Sequence, residues 1–369
     1  MLGPLPIIFG IAVVWLIFQL LTGNFVSARN LTNLSVQLTV ILALALGAYI
    51  VILTGQIDLS MGSVLGASAS LLALLLQNHW SAWTAILMTL AFGLAVGLLQ
   101  GAVTAFLGVP SFVVTLGGFL AIMGLQLVLV GNAGEIGIYD PAILAIANDY
   151  LPFWAGWVLF VMVIPIAFAM YVAERRSWVR ARLDVQPTWR TIFWRMVSLV
   201  VVVGIGVAAY NTYIGIPYVV VLVAALTLML GWITTRTPFG RHLYAVGGNS
   251  AAADRAGISI VRVKMTALAL SGVLSAVAGI ISASMVFAVS SLTGGGTLLL
   301  EAIAAVVIGG TSLFGGGGRI YQPVLGALVI VSIENGLGLH GDAVATSYVI
   351  TGSILVVAVS VDAISKRRR

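Results

Sequence analysis

Apolar segments that are long enough, or nearly long enough, to cross a lipid bilayer follow one another along almost the whole chain. Charged residues are correspondingly few: lysine, arginine, aspartate and glutamate make up only 8% of the 369 residues, and the mean hydropathy is +1.15. A water-soluble domain carries roughly 25% charged residues, because a surface in contact with water has to be polar. The sequence therefore excludes a soluble enzyme. It also excludes a nucleic-acid binder, although the net charge is +6.

A helix needs about 20 consecutive apolar residues to cross the hydrocarbon core of a bilayer. The alternation of apolar and polar residues that is expected of barrel strands is absent here. We therefore predict an all-α polytopic inner-membrane helical bundle of ten to twelve transmembrane helices, some of them short or broken. The predicted segments are 5–22, 34–54, 60–76, 82–106, 111–130, 153–172, 195–212, 217–235, 265–288, 298–313, 320–338 and 344–362.

Basic residues predict the orientation of the bundle, because lysine and arginine accumulate on the cytoplasmic side of a membrane. They concentrate near 173–194, near 236–264 and in the tail 366–369. An even number of crossings places all three clusters on one side, with Arg29 as the one exception. We therefore expect both termini to lie in the cytoplasm. The segments near 173–194 and 236–264 are predicted to be cytoplasmic loops.

The sequence lacks the residues that most catalytic and metal sites require. It contains no cysteine, and its three histidines are isolated from one another. A phosphate-binding loop needs Gly-Lys-Ser/Thr, whereas Lys264 follows Val263 and Lys366 follows Ser365. We therefore predict no catalytic residues, no metal and no cofactor, and no ATP hydrolysis by the chain itself.

Small residues at four-residue spacing indicate close helix packing, since helices in lipid associate through small side chains. Gly93, Gly97 and Gly101 form one such series, and Gly62 and Gly66 form another.

A polar interruption, Thr-Gly-Gln-Ile-Asp-Leu-Ser-Met-Gly-Ser at 54–63, separates the second and third apolar segments. Irregular backbone at membrane depth persists only where protein or water satisfies its amide groups, so this interruption is a candidate pathway element.

Three carboxylates lie at or near apolar depth: Asp58, Glu301 and Glu334. Such a residue is a functional candidate by default, as a ligand or a proton relay. Asp58 is also suited to a helix terminus, and Glu301 to the start of its helix. A structural role for each is therefore an open alternative.

The segment 236–264 contains a predicted surface helix. Asn249 can cap an alanine-rich helix over 250–256, and Gly257 can end it. A short, exposed helix with a basic, small-residue surface is suited to docking a soluble partner, although a simple membrane-surface anchor is an alternative.

Four motifs resemble permeases of ABC transporters for monosaccharides, and they occur along the chain in the order typical of that family. The pattern Asn-x-x-Ala-Ala-x-x-x-Gly-Ile at 249–258, after Phe-Gly-Arg at 239–241, resembles the cytoplasmic coupling loop of that family. The segments 54–63, 112–117 and 301–312 resemble its other motifs. The long basic insertion around 173–196 is most similar to the xylose-type members.

The resemblance implies a single permease domain over 1–369 that imports a monosaccharide by alternating access, with D-xylose or a related sugar as substrate. It implies a permease homodimer in contact with membrane lipid, an ATP-binding subunit docked on a coupling helix near 249–257, a periplasmic sugar-binding protein and no nucleic acid. The implied coupling residues are Gly240, Arg241, Asn249, Ala252, Ala253 and Gly257, and the pathway candidates are Thr54, Gly55, Asp58, Ser60, Gly62, Thr115, Gly117 and Glu301.

Two alternatives stay open on the residues themselves. A proton-coupled secondary sugar transporter would use the carboxylates, and a membrane scaffold would fit the composition equally well. The sequence also departs from the family at Leu299-Leu300-Glu301 and at Tyr321-Gln322-Pro323, which weakens the pathway role of Glu301.

Overall fold

The structure, a computed structural model, describes residues 5–180, 188–295 and 297–341, with isolated positions beyond. The helices are α1 (Leu5–Thr22), α2 (Ala28–Leu53), α3 (Met61–Gln77), α4 (Ala82–Phe106), α5 (Ser111–Val130), α6 (Pro141–Asn148), α7 (Phe153–Arg180), α8 (Trp189–Asn211), α9 (Tyr218–Arg236), α10 (Pro238–Gly248), α11 (Ser250–Arg255), α12 (Ile260–Val286), α13 (Leu298–Ile308) and α14 (Tyr321–His340).

The predicted helical bundle is confirmed in the described residues. Nine of their helices are long and apolar enough to cross a membrane, and α3 and α13 are shorter apolar helices. Eleven of the twelve predicted segments correspond to helices. The twelfth, 344–362, lies mostly outside the described residues.

One predicted segment, 298–313, is too long. Helix α13 spans only 11 residues and ends at Ile308. Gly309 forms the C-cap and Gly310 has a φ of +93°, a backbone conformation that a helix cannot contain. With 11 residues, α13 is too short to cross a bilayer as a single helix, and the chain turns after it.

The two predicted cytoplasmic loops are largely helical. Helix α7 continues to Arg180 and α8 begins at Trp189, so that described residues of 173–194 are mostly helix. In the second loop, Thr237 caps α10 by accepting a 3.2 Å hydrogen bond from the Gly240 amide, and α11 and the start of α12 follow. Both polar segments therefore extend or add helices, and the helix predicted over 250–256 is one of them.

Helices α2 and α12 form the centre of the bundle. Every residue of α2 from Thr39 to Leu53 is buried, as is expected of a helix that is apolar on all sides. Helix α12 is buried over most of Ala267–Ser284. Large apolar side chains on the outer helices are exposed, for example Trp83 and Val128.

The predicted glycine packing is confirmed where α4 crosses α12. A side chain at Gly97 would overlap the backbone of Leu268 and Ala269, and one at Gly93 would overlap the backbone of Gly272. The small residues thus bring the two backbones into direct contact, which is how helices associate in lipid.

A short antiparallel pair of strands adds to the helical bundle. Strands β1 (Glu135–Gly137) and β2 (Ala288–Ser290) pair with Ile136 opposite Val289. Asp140 then caps α6, because its carboxylate accepts hydrogen bonds from the Ala142 and Ile143 amides. These elements connect the end of α5 to the end of α12.

Candidate functional site

The polar interruption between α2 and α3 forms an irregular segment, residues 54–60, inside the bundle. Gly55 has a φ of +73°, which allows the chain to turn sharply after α2. The Thr54 hydroxyl donates a 2.7 Å hydrogen bond to the Val51 carbonyl and so satisfies one helix-end acceptor. Most of the segment is buried, so its other polar groups also require partners within the protein.

Asp58 provides the main attachment of this segment. Its Oδ1 accepts hydrogen bonds from the Ser60 amide at 2.9 Å and the Ser60 hydroxyl at 2.7 Å. Its Oδ2 accepts a 2.7 Å hydrogen bond from the Ser271 hydroxyl of α12. All three residues are buried. The structural alternative for Asp58 fits this arrangement, but the expected helix-capping position is wrong, because the N-cap of α3 is Ser60.

Gln100 of α4 completes the buried network. Its amide oxygen lies 2.9 Å from the Ser60 hydroxyl, which already donates its single proton to Asp58. In the described part of the chain, the buried Gln100 Nε2 has no hydrogen-bond partner. Turning the amide by 180° directs Nε2 at the Ser60 oxygen and removes both conflicts. We infer this orientation, in which Gln100 donates to Ser60 and Ser60 donates to Asp58.

Helix α5 holds the opposite side of the irregular segment. The Leu59 amide donates a 3.0 Å hydrogen bond to the Thr115 hydroxyl, and the Ile57 amide donates a 3.2 Å hydrogen bond to the Ser111 hydroxyl. Thr115 is fully buried. The predicted pathway residue Gly117 lies elsewhere, on an exposed face of α5.

Gly62 and Gly66 pack against an irregular segment, residues 291–295, and Gly66 also packs against Gln126 of α5. A side chain at Gly62 would overlap the Gly294 carbonyl, and one at Gly66 would overlap the Thr293 carbonyl. Gln126 of α5 fixes the same segment by donating a 2.8 Å hydrogen bond to the Thr293 carbonyl. The predicted close packing is therefore correct, and its partners are the chain after β2 and Gln126 of α5.

Glu301 is separate from the Asp58 network. It lies in the first turn of α13, is buried, and interacts with the side chains of Thr297 and Glu334 of α14. A hydrogen bond between two carboxyl groups requires a proton on one of them. The predicted helix-start position is correct, but pairing with Glu334 was not predicted.

The predicted cap of the short surface helix is confirmed. The Asn249 side chain accepts a 2.9 Å hydrogen bond from the Ala252 amide. Gly257 has a φ of +80° directly after the helix. Ala253 is the one buried residue of α11, whereas Ala252 and its other side chains are exposed. Helix α11 therefore projects from the bundle as a knob of small and charged residues.

Two further predicted coupling residues lie in α10. Gly240 packs directly on the Ile233 and Thr234 carbonyls at the corner between α9 and α10, where no larger residue fits. Arg241 is exposed. Gly240 thus fixes the corner between α9 and α10, and Arg241 presents a positive charge in the first turn of α10.

A junction of tyrosines and glycines links α10 to the irregular segment. Tyr244 donates a 2.8 Å hydrogen bond to the Gly318 carbonyl, and its oxygen lies 3.0 Å from the buried Tyr49 hydroxyl of α2. The Gly316 amide donates a 3.0 Å hydrogen bond to the Leu53 carbonyl at the end of α2. Movement of α10 would therefore reach the end of α2 and residues 54–60 directly.

Sequence reasoning missed Gln100 and Gln126. Each is a lone glutamine in a long apolar helix, and a polar side chain at such a position is costly without a partner. That cost could have indicated from the sequence that each glutamine has a buried polar partner. Their partners, Ser60 and residues 290–293, lie far away along the chain.

Comparison with known proteins identifies the family. A family described as "Branched-chain amino acid transport system / permease component" matches residues 30–359. The xylose transport system permease proteins of Haemophilus influenzae and Escherichia coli are each 35% identical to this chain, over 97% and 94% of it and 95% and 88% of their own lengths. The ribose import permease protein of Escherichia coli is 29% identical over 94% of this chain and 89% of its own length. No solved structure matches the chain.

The chain therefore belongs to this family of transport-system permease components. The resemblance to sugar permeases that the motifs indicated is confirmed. With nine apolar helices in its described residues, the protein is a multi-pass protein of the bacterial inner membrane and a transport subunit.

Proposed function

We propose that this permease subunit imports a monosaccharide, with D-xylose as the first candidate, in an ATP-driven ABC importer. The observation that carries the proposal is the 35% identity with two xylose permeases over nearly the whole chain. The ribose permease is less similar, at 29%. This difference favours xylose or a closely related sugar over ribose.

We propose that the knob formed by α11 docks a separate ATP-binding subunit, which hydrolyses the ATP. The knob is exposed, and its single buried side chain, Ala253, attaches it to the bundle. Its last residue, Arg255, is exposed and gives it a positive charge, and Arg241 gives the preceding helix α10 another. Small side chains on a rigidly capped helix suit insertion into a cleft of a soluble partner.

The proposed coupling route runs from α11 through α10 to the irregular segment at 54–60. Tyr244 contacts Tyr49 of α2 directly, and Gly316 and Gly318, in the segment between α13 and α14, connect α10 to the end of α2. Rigid elements that contact one another transmit displacement, because packed interiors deform little. Docking of nucleotide-bound ATPase subunits would thus shift the segment held by Asp58 and Thr115 and open or close the pathway.

Two further partners complete the proposed importer. A periplasmic binding protein delivers the sugar, and a second copy of the permease forms the other half of the pathway. Weak polar contacts between the sugar and the pathway are sufficient for transport. The binding protein selects the sugar, so the permease does not need to bind it tightly.

Uptake by the reconstituted importer tests the substrate. Permease, ATP-binding subunit and binding protein from the same source are placed in liposomes that contain ATP, and uptake of labelled sugar is measured. We expect unlabelled D-xylose to compete more strongly than ribose or arabinose at equal concentration. Strong competition by ribose with none by D-xylose would reject the substrate, and ATP-independent uptake would reject the ABC mechanism.

A further inference from the structure

A polar cavity of about 450 Å³ lies between the first half of α2 and the last half of α14. Pockets that bind small molecules span roughly 300–1,000 Å³. Asn30, Asn33 and Gln37 follow one another on one face of α2, at the spacing of successive helical turns. Glu334 and Asn335 face them from α14. Five polar side chains thus converge on a single cavity.

Hydrogen bonds hold the cavity walls in place. Asn30 is buried and donates 2.8 Å hydrogen bonds to the Phe25 carbonyl and to Asn335 Oδ1. Asn335 in turn donates a 3.3 Å hydrogen bond to Gln37 Oε1. The α2 and α14 walls are therefore connected through side-chain amides, and the cavity is formed before any ligand enters.

Some polar groups of the cavity are still available to a ligand. Within the described part of the chain, neither the side-chain amide of Asn33 nor the side-chain amino group of Gln37 makes a hydrogen bond with protein. Glu334 pairs with Glu301, and a carboxyl oxygen has more than one acceptor site. The cavity thus offers both donors and acceptors at fixed positions.

The charges of the lining indicate the class of ligand. Among the described residues that line the cavity, Glu334 is the one ionisable residue, and none is a lysine, arginine or histidine. An anion would find no positive partner there. Amide donors and acceptors with a carboxyl oxygen match the hydroxyl groups of an uncharged polyol, each of which both donates and accepts.

We propose that this cavity, lined by Asn30, Asn33, Gln37, Glu334 and Asn335, is a binding site for a neutral monosaccharide on the outer half of the permease. The inference rests on the proposed function, since it assigns the transported sugar to the site. The basic residues place the start of α2 and the end of α14 on the periplasmic side. The cavity therefore receives the sugar after the binding protein releases it.

Protection of a single cysteine tests the site in the complete importer, because the chain has no cysteine of its own. Leu339→Cys places a thiol at the cavity without removing an amide, and Leu339 is 45% exposed. Its labelling by a membrane-impermeant maleimide is measured in right-side-out vesicles. D-xylose at about ten times its half-protecting concentration should slow labelling roughly tenfold. Sodium glutamate of equal osmolarity should not.

Matched variants separate the cavity from general effects. Asn33→Leu, added to the Leu339→Cys variant, should weaken the protection of the thiol by sugar. It should also slow uptake at low sugar concentration by roughly three- to tenfold, as expected for one lost hydrogen bond. Asn78 is an exposed amide at the end of α3 and does not line the cavity. Asn78→Leu should leave uptake unchanged, and the labelling of Asn78→Cys should be unaffected by sugar.

Uptake of D-xylose by the unmodified importer is measured in the same vesicles. Normal ATP-driven uptake combined with sugar-independent labelling of Leu339→Cys, or with no labelling from outside, would overturn the cavity assignment alone. Absence of ATP-driven sugar uptake by the unmodified importer would overturn the proposed function and the site with it.

Discussion

At the scale of single residues, the buried polar side chains fix the irregular segment. Asp58 accepts three hydrogen bonds that join the start of α3 to α12, and Gln100 joins α4 to the same network. The sequence identified Asp58, because a carboxylate in an apolar region is conspicuous. It did not identify Ser271 as the partner, since that pairing depends on how α12 lies against the segment.

Replacement of Asp58 by leucine should destabilise the protein. The Ser60 amide and the Ser271 hydroxyl would be left buried without an acceptor, and each such group costs roughly 1–3 kcal/mol. We expect the free energy of unfolding of the detergent-solubilised permease to fall by about 3 kcal/mol, as measured by thermal unfolding.

Asp58→Asn is the matched control, because its oxygen still accepts from Ser60 while its amino group can donate to the Ser271 oxygen. Its loss of stability should be clearly smaller. Equal melting temperatures for the leucine variant and the wild type would show that the network does not stabilise the fold.

At the scale of helices, the sequence predicts which segments are helical better than it predicts what each helix contacts. The bounds of α4 and α5 are correct because polar or turn residues stand at the ends of their apolar runs. The predicted end of α13 is wrong, because its run continues through Gly309 and Gly310 and only the backbone geometry shows the break. The amide-lined cavity was not predicted either, since two distant helices form it.

Gly97→Leu tests the direct contact of α4 with α12. The new side chain would meet the Leu268 and Ala269 backbone, which no rotamer change can relieve. Overpacking costs about 1–3 kcal/mol even where side chains can adjust, so we expect little folded permease in the membrane. Gly124→Leu on α5 is the control, because the space around Gly124 is open. Equal yields of monodisperse protein from both variants would contradict the packing described here.

Ala252→Trp tests the docking role of α11. Ala252 is exposed, so the change adds bulk to the knob without disturbing the bundle, whereas Ala253 is buried and a change there would confound folding with docking. We expect the variant to reach the membrane in normal amount but to recover at least tenfold less ATP-binding subunit on affinity purification. Such a loss corresponds to about 1.4 kcal/mol of binding free energy.

Arg190→Trp is the control for docking, because Arg190 is exposed on the same predicted face of the membrane and lies outside the knob. Its recovery of the ATP-binding subunit should equal that of the wild type. Undiminished recovery with Ala252→Trp would place the docking site elsewhere on the permease.

At the scale of the whole molecule, the distribution of lysine and arginine predicts that α11 faces the cytoplasm and the cavity faces the periplasm. Ala251→Cys on α11 and Asn78→Cys at the end of α3 test this arrangement, since the natural chain contains no cysteine. In intact cells an impermeant maleimide should label only the second variant. Inside-out vesicles should show the reverse pattern, and labelling of both positions from one side would contradict the predicted orientation.

The source of energy for transport tests the central claim most directly. Labelled D-xylose uptake is measured in liposomes that contain the permease alone, and in liposomes that contain the permease with its ATP-binding subunit and sugar-loaded binding protein. The permease should accumulate sugar only with both partners and ATP inside, and a protonophore should have no effect. Accumulation by the permease alone, driven by a proton gradient and abolished by the protonophore, would contradict the ABC importer and establish a secondary transporter.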